Sequence, residues 1–124
     1  MGKMTVYHGS YTIVNKPKII KGKNTKDFGP GFYCTIIREQ AQRWARRYDT
    51  PIVNIYTVHM DTRLKILEFK EMTEEWLDFI INCRNRIPHD YDIVIGAMAN
   101  DQINFCSSKG LKCLEFISGE EVSQ

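Results

Sequence analysis

The 124-residue chain has no apolar run long enough to cross a membrane, and no charged-then-apolar leader at its start. The simplest expectation from this is a cytoplasmic protein. Its four cysteines, Cys34, Cys83, Cys106 and Cys113, form no CxxC pair, and no histidine lies at a matching ligand spacing. A zinc centre is therefore not expected, and the thiols read as small, mostly buried groups. Charge of either sign is not in excess. Seventeen Lys and Arg against fifteen Asp and Glu leave a net charge of +2, which excludes a general polyanion trap. There are no internal repeats and no low-complexity linker. No Rossmann or phosphate-loop glycine pattern occurs either; GPG at 29–31 is too short and precedes a strand rather than a helix.

What remains is an ordinary globular composition, 43% hydrophobic and 26% charged, in a chain of one-domain length. A strand is expected around Val6. The Lys-, Gly- and Pro-rich run at 15–31 then reads as a long connection, of the kind that is often functional. GFYCT (31–35) reads as a short strand, and Thr35 as the cap of a helix. In that helix Ile37, Ala41, Trp44, Ala45 and Tyr48 fall on one amphipathic stripe. IVNIYTVHM (52–60) reads as a strand and LKILEF (64–69) as its neighbour. Thr73 caps a second helix, with Glu74 and Glu75 in its first turn and Trp76, Leu77, Ile80 and Ile81 as its buried face. YDIVIGAM (91–98) reads as a central strand, followed by strands at 102–105 and 114–118 with one or two helical turns between them. Strands outnumber helices and do not alternate regularly with them. The class is therefore α+β with a mixed or antiparallel sheet.

Three segments are candidates for chemistry. The first is YHGS (7–10), where a strand ends in His8-Gly9-Ser10. Glycine admits a ligand to the main chain, beside an imidazole and a hydroxyl; the bland alternative is a strand-end histidine and a turn glycine. The second is DFGPGFYCT (27–35). There Gly31 leads into Phe32 and Tyr33, which a strand directs to opposite faces, one to the core and one towards a planar ligand. The bland alternative is a glycine turn with two core aromatics. The third is QAQRWARRYD (40–49), with Arg43, Arg46 and Arg47 on the wet side of the helix. This is either a solvated face or an anchor for a pyrophosphate or a nucleic acid. His59 in its alternating strand needs no function, and His89 after Pro88 is expected to cap or face water.

Taken together, YHGS, FGPGFYCT and the Ala-x-x-Trp-Ala helix resemble the ADP-ribosyltransferase superfamily. The branch is the one that includes the poly(ADP-ribose) polymerases and diphtheria-type toxins, with its His, then Tyr, then acidic-or-Gln signature. More narrowly, the runs LEFKEMTEEWLDF, HDYDIVIGAMAND and NDQINF are similar to a poorly characterised bacterial family within it, over residues 5–122. The resemblance implies a compact single domain with a split β-sheet core and two main flanking helices. It also implies NAD as substrate without a metal. In that reading His8 bonds the ribose of the adenosine half, and the Gly9 main chain holds the nicotinamide carboxamide. Tyr33 stacks on the nicotinamide ring, and Ser10 assists at a ribose hydroxyl. Gly31 and Phe32 belong to the same binding segment.

The third position of the signature departs from the usual glutamate. Here Gln102 stands in it, with Asp101 beside it, in a region shortened relative to longer family members. Regular strand alternation lets one of the two face a site. A unit charge about 5 Å from a developing cation is worth roughly 3 kcal/mol at an effective dielectric near 20, about a hundredfold in rate. The resemblance thus implies a mono-ADP-ribosyltransferase acting on a macromolecular acceptor, in a toxin or phage-conflict setting with a neutralising antitoxin-like partner. Two other functions stand beside it: an NAD-binding module with little or no turnover, and a nucleic-acid-binding domain using the arginine face.

Overall fold

The computed structural model describes residues 3–19, 28, 31–60, 63–98, 101–107 and 111–123, with the backbone alone for 98, 101–107 and 112. In chain order the elements are β1 (Lys3–Ser10), β2 (Phe32–Thr35), α1 (Arg38–Ala45), β3 (Ile52–His59), β4 (Ile66–Glu68), α2 (Glu74–Arg84), β5 (Ile93–Met98), β6 (Asp101–Ser107) and, after a 3-10 turn at Leu111–Cys113, β7 (Leu114–Glu121). The class is α+β, as the irregular alternation of strands and helices implies. The chain divides into two compact units. One comprises Met1–Pro17, Cys34–Thr62 and Lys112–Gln124; the other comprises Lys18–Tyr33 and Arg63–Leu111.

The first unit is built on an antiparallel sheet in the order β2-β1-β3-β7. β1 and β3 pair continuously from Lys3↔His59 to Ser10↔Ile52, whereas β1 meets β2 at the single pair Tyr7↔Thr35. Strand alternation divides β1 and β3 between two faces. Tyr7, Val53 and Ile55 pack with Ala41 and Ala45 of α1. Val6, His8 and Ser10 take the other face, with Asn54 and Tyr56.

Gly9 sets how closely α1 can lie on the sheet. A Cβ at Gly9 would stand 2.2 Å from the Ala41 carbonyl oxygen, 2.9 Å from the Ala45 nitrogen and 3.0 Å from the Trp44 Cβ. Helix backbone therefore rests against strand backbone. The helix is entered through Thr35, whose Oγ1 accepts the Ile37 N–H at 3.1 Å. Thr35 thus acts one step outside the cap position, which Ile37 occupies without a side-chain cap bond. The helix stops at Ala45. Tyr48 consequently leaves the predicted stripe and is exposed, and Gln40 is buried in its place.

The second unit pairs β4 with β5 in parallel and β5 with β6 antiparallel. β4 is therefore not the neighbour of β3, as its sequence position suggests; its partner is the central strand β5. Phe28, Tyr33, Trp76, Ile80 and Val94 form the core of this unit. Thr73 caps α2 as expected, its side chain accepting the Trp76 N–H at 3.2 Å. The buried face is narrower than the sequence suggests. Trp76, Ile80 and Cys83 are inside, whereas Leu77 and Ile81 are 48% and 45% exposed. The helix closes in a Schellman motif, with Ile87 N–H donating to Asn82 O and Arg86 N–H to Cys83 O. Arg86 takes the left-handed position, at φ 63°.

Two stability predictions follow. Gly9→Ala forces α1 off the sheet and is expected to cost about 1–3 kcal/mol, the usual range for overpacking, read as a lower urea midpoint at unchanged m. Arg86→Gly relieves a left-handed non-glycine residue and is expected to add about 1 kcal/mol by the same measurement.

Candidate functional site

Across from the end of β1 lies Asn54, fully buried and paired directly with His8 in the ladder. Its amide ties down the chain that follows β1. Nδ2 donates to Thr12 O at 3.1 Å and to His8 O at 3.4 Å, while Oδ1 accepts the Val14 N–H at 2.8 Å. The buried Tyr56 hydroxyl donates to Val14 O at 2.6 Å, and Thr50 Oγ1 to Tyr11 O at 2.8 Å. Residues 11–14 are thus folded back onto the sheet face that carries His8 and Ser10. Gly119 makes room for this turn, since a Cβ there would lie 2.8 Å from the Ile13 side chain. His8 and Gly9 are half-buried and Ser10 is buried. Gly9 needs to be glycine for the helix contact alone, before any ligand is considered.

Gly31 is half-buried at the entrance to β2. Both aromatic rings that follow are inside: Phe32 and Tyr33 are each 6% exposed, so the strand does not leave one ring open. The Tyr33 hydroxyl accepts the Phe28 N–H at 3.0 Å, and the two rings lie nearly parallel with centroids 6.4 Å apart. Phe28 is held from its other end by His89. Its carbonyl accepts from His89 Nε2 at 3.1 Å, while His89 Nδ1 accepts the Tyr91 N–H at 3.1 Å. Both nitrogens are engaged, which assigns the Nε2–H tautomer. His89 is thus a clip on the segment around Phe28, packed against Phe79 and Tyr91 and half-buried; of the two expectations, it caps a backbone N–H rather than simply facing water.

Asp101 and Gln102 open β6, and their side chains lie outside the described residues. Their backbone register is informative. β5 and β6 pair from Ile93↔Ser107 to Ala97↔Ile103, and the next pair is Met98↔Asp101. Gln102 is therefore the extra residue of a β-bulge. Bulges break side-chain alternation and re-aim the residues they contain. The expectation that alternation admits only one of Asp101 and Gln102 to a site assumes a regular strand and does not apply at this position.

The sequence reading passed over two buried polar residues. Asn54 sits in a β-branched run where asparagine is disfavoured, and that mismatch was the available signal. Gln40 is fully buried; its Oε1 accepts from Thr35 Oγ1 at 3.1 Å, while its Nε2 has no partner among the described residues. An open cavity of about 260 Å³ at the Ile52 end of β3, the end that pairs with Ser10, is lined by Asp49, Thr50, Pro51, Ile52, Glu121 and Val122, and by none of the expected site residues. Among the described residues no group of His, Cys, Asp and Glu is placed to hold a metal.

The Asn54 and Tyr56 ties are testable. Asn54→Ala leaves buried backbone groups unpaired and is expected to cost about 2–3 kcal/mol in urea denaturation. Burial above all, then the neighbouring Cys34, pushes the Tyr56 hydroxyl pKa well above its ordinary 10.0. The unfolded tyrosine ionises first, so the stabilisation is complete below pH 10 and is lost as pH rises through the higher folded value. Between pH 10 and that folded value the wild type is expected to lose about 1.4 kcal/mol of stability per pH unit more than Tyr56→Phe.

A family model described as a protein of unknown function, DUF3990, matches residues 4–111. No curated protein and no solved structure matches the chain. Because the family match spans most of the sequence, the chain belongs to the DUF3990 family of proteins of unknown function.

Proposed function

We propose that the chain is an NAD-dependent mono-ADP-ribosyltransferase. The observation that carries this reading is the end of β1. There the run Tyr7-His8-Gly9-Ser10, which resembles the first superfamily motif, begins at the β1–β2 pair Tyr7↔Thr35 and is held in register by β3. His8 lies on the face opposite α1, and Gly9, covered by α1 on its own face, is half-buried; these are the two residues that the resemblance assigns to a ribose and a carboxamide.

The reaction breaks the bond between nicotinamide and ribose C1′ with oxocarbenium character, as in glycoside cleavage. Nicotinamide leaves with the bonding electron pair. The acceptor's nucleophilic atom bonds to C1′ and gives up its proton. His8 and Gly9 contribute by holding NAD bent, and Tyr33 by stacking on the leaving ring. At 6% exposed, Tyr33 has to uncover one face of its ring before a nicotinamide can lie on it. Its hydroxyl bond to Phe28 fixes the ring plane and is compatible with that role. Gln102 supplies a hydrogen bond at the ribose 2′-hydroxyl without a charge.

The uncharged Gln102 in the third position of the signature also favours a second reading, a module that binds an NAD-like ligand with little or no turnover. One set of measurements separates the two. Incubation with NAD is expected to release nicotinamide and to label either the protein or an added acceptor. His8→Ala is expected to lower that rate at least tenfold. Gln102→Glu is expected to raise it, by up to about a hundredfold, because it restores the charge usual at the third position of the signature. Ligand-dependent thermal stabilisation without nicotinamide release supports the binding module. No stabilisation and no release disposes of both readings. Tyr33→Phe keeps the ring and removes the hydroxyl that accepts the Phe28 N–H, so it separates loss of that bond from loss of the ring.

A further inference from the structure

A second surface of the first unit is independent of the NAD reading. Tyr11, just after β1, and Tyr48, just after α1, are 61% and 40% exposed. Their rings nonetheless meet edge to face, with centroids 5.4 Å apart and an interplanar angle of 61°. Both are anchored through their main chains, Tyr11 by its carbonyl to Thr50 Oγ1 at 2.8 Å and Tyr48 by its N–H to Ala45 O at 3.0 Å. Arg43, Arg46 and Arg47 leave the last turn of the same helix at exposed positions. Of these, Arg46 Nε donates to Ser123 O at 3.4 Å.

Arginines at a helix C-terminus are accounted for by the helix dipole. The edge-to-face contact covers part of each tyrosine ring and leaves the remainder of both open to solvent. We propose that this corner binds single-stranded nucleic acid. Unstacked bases lie on the tyrosine rings, and the phosphates meet the arginines. Every base has a π face, so such a platform takes sequence loosely, and base–aromatic stacking together with arginine contacts is the general mode for single strands. The duplex is disfavoured because its bases are already stacked. Asp49 and Glu121, which line the cavity at the Ile52 end of β3, are of like charge to phosphate and disfavour a strand in that cavity.

The test uses the full chain, no NAD, and fluorescein-labelled oligo(dT) and oligo(rU) 12-mers in an anisotropy titration at about 50 mM salt, where phosphate contacts are strongest. Saturable binding is expected. Tyr11→Ala and Tyr48→Ala are each expected to weaken it roughly 5- to 100-fold, whereas the Tyr→Phe variants retain it. Arg43→Gln and Arg47→Gln are expected to weaken it and to lower the slope of log K against log salt by about 0.7 each. The proposal is overturned by no binding at about 100 μM protein, by binding that both Tyr→Ala variants leave unchanged, or by equal affinity for a duplex or for heparin. Because NAD is absent, failure of the transferase reading leaves this test untouched, and failure of this test leaves nicotinamide release untouched.

Discussion

The contact between α1 and Gly9 governs the first unit. A helix carbonyl stands where a side chain would begin, so the helix can lie against β1 only because residue 9 has none. That approach buries Ala41 and Ala45 on Val53 and Ile55, which closes one face of the sheet. The two ends of the helix differ in their surroundings. Thr35 and Gln40 are drawn inside at its beginning, and the arginines and Tyr48 are put outside at its end. A glycine that looks like a ligand-approach residue is therefore first a packing residue. Any ligand role has to use the main chain that remains.

The opposite face of the same sheet follows a different rule. It is closed by polar groups, and the buried amide of Asn54 satisfies two carbonyls and one N–H of the returning chain. Buried polar groups of this kind are costly unless fully paired. They are directional, and so they specify one conformation of residues 11–14 where an apolar cover would admit several. In the second unit His89 plays the comparable part, bridging Phe28 and Tyr91 and thereby holding the partner of the Tyr33 hydroxyl.

Much of this was legible in the sequence. Runs of β-branched residues marked β1, β3 and β5, and Thr73 with its two glutamates marked the start of α2. Periodicity was less informative about extent. Leu77 and Ile81 share helical spacing with Trp76 and Ile80, yet the sheet covers only part of the α2 circumference and leaves them outside. Tyr48 fell on the α1 stripe by count, but the helix had already ended. The partner of β4 was out of reach, because adjacency in sequence favours β3 while the parallel pairing with β5 depends on the crossover through α2. At the candidate site, the residue types at positions 8, 9 and 33 were readable. That Asn54 lies opposite His8, and that Gln102 occupies a bulge, are facts of register that no single segment contains.

The clamp on residues 11–14 has a consequence for the order of assembly. Its partners are Thr50, Asn54 and Tyr56 in and before β3, about 40 positions along the chain, and Ile13 settles against Gly119 in β7. The histidine-bearing end of the first strand thus reaches its final surroundings only after the last strand has docked on β3. Contacts of such long sequence separation form slowly, because loop-closure entropy has to be overcome before they stabilise anything. During synthesis β1 emerges before β3 and β7, so this end of it waits for both. The face that carries His8 and Ser10 therefore takes its final form only once those later strands have paired.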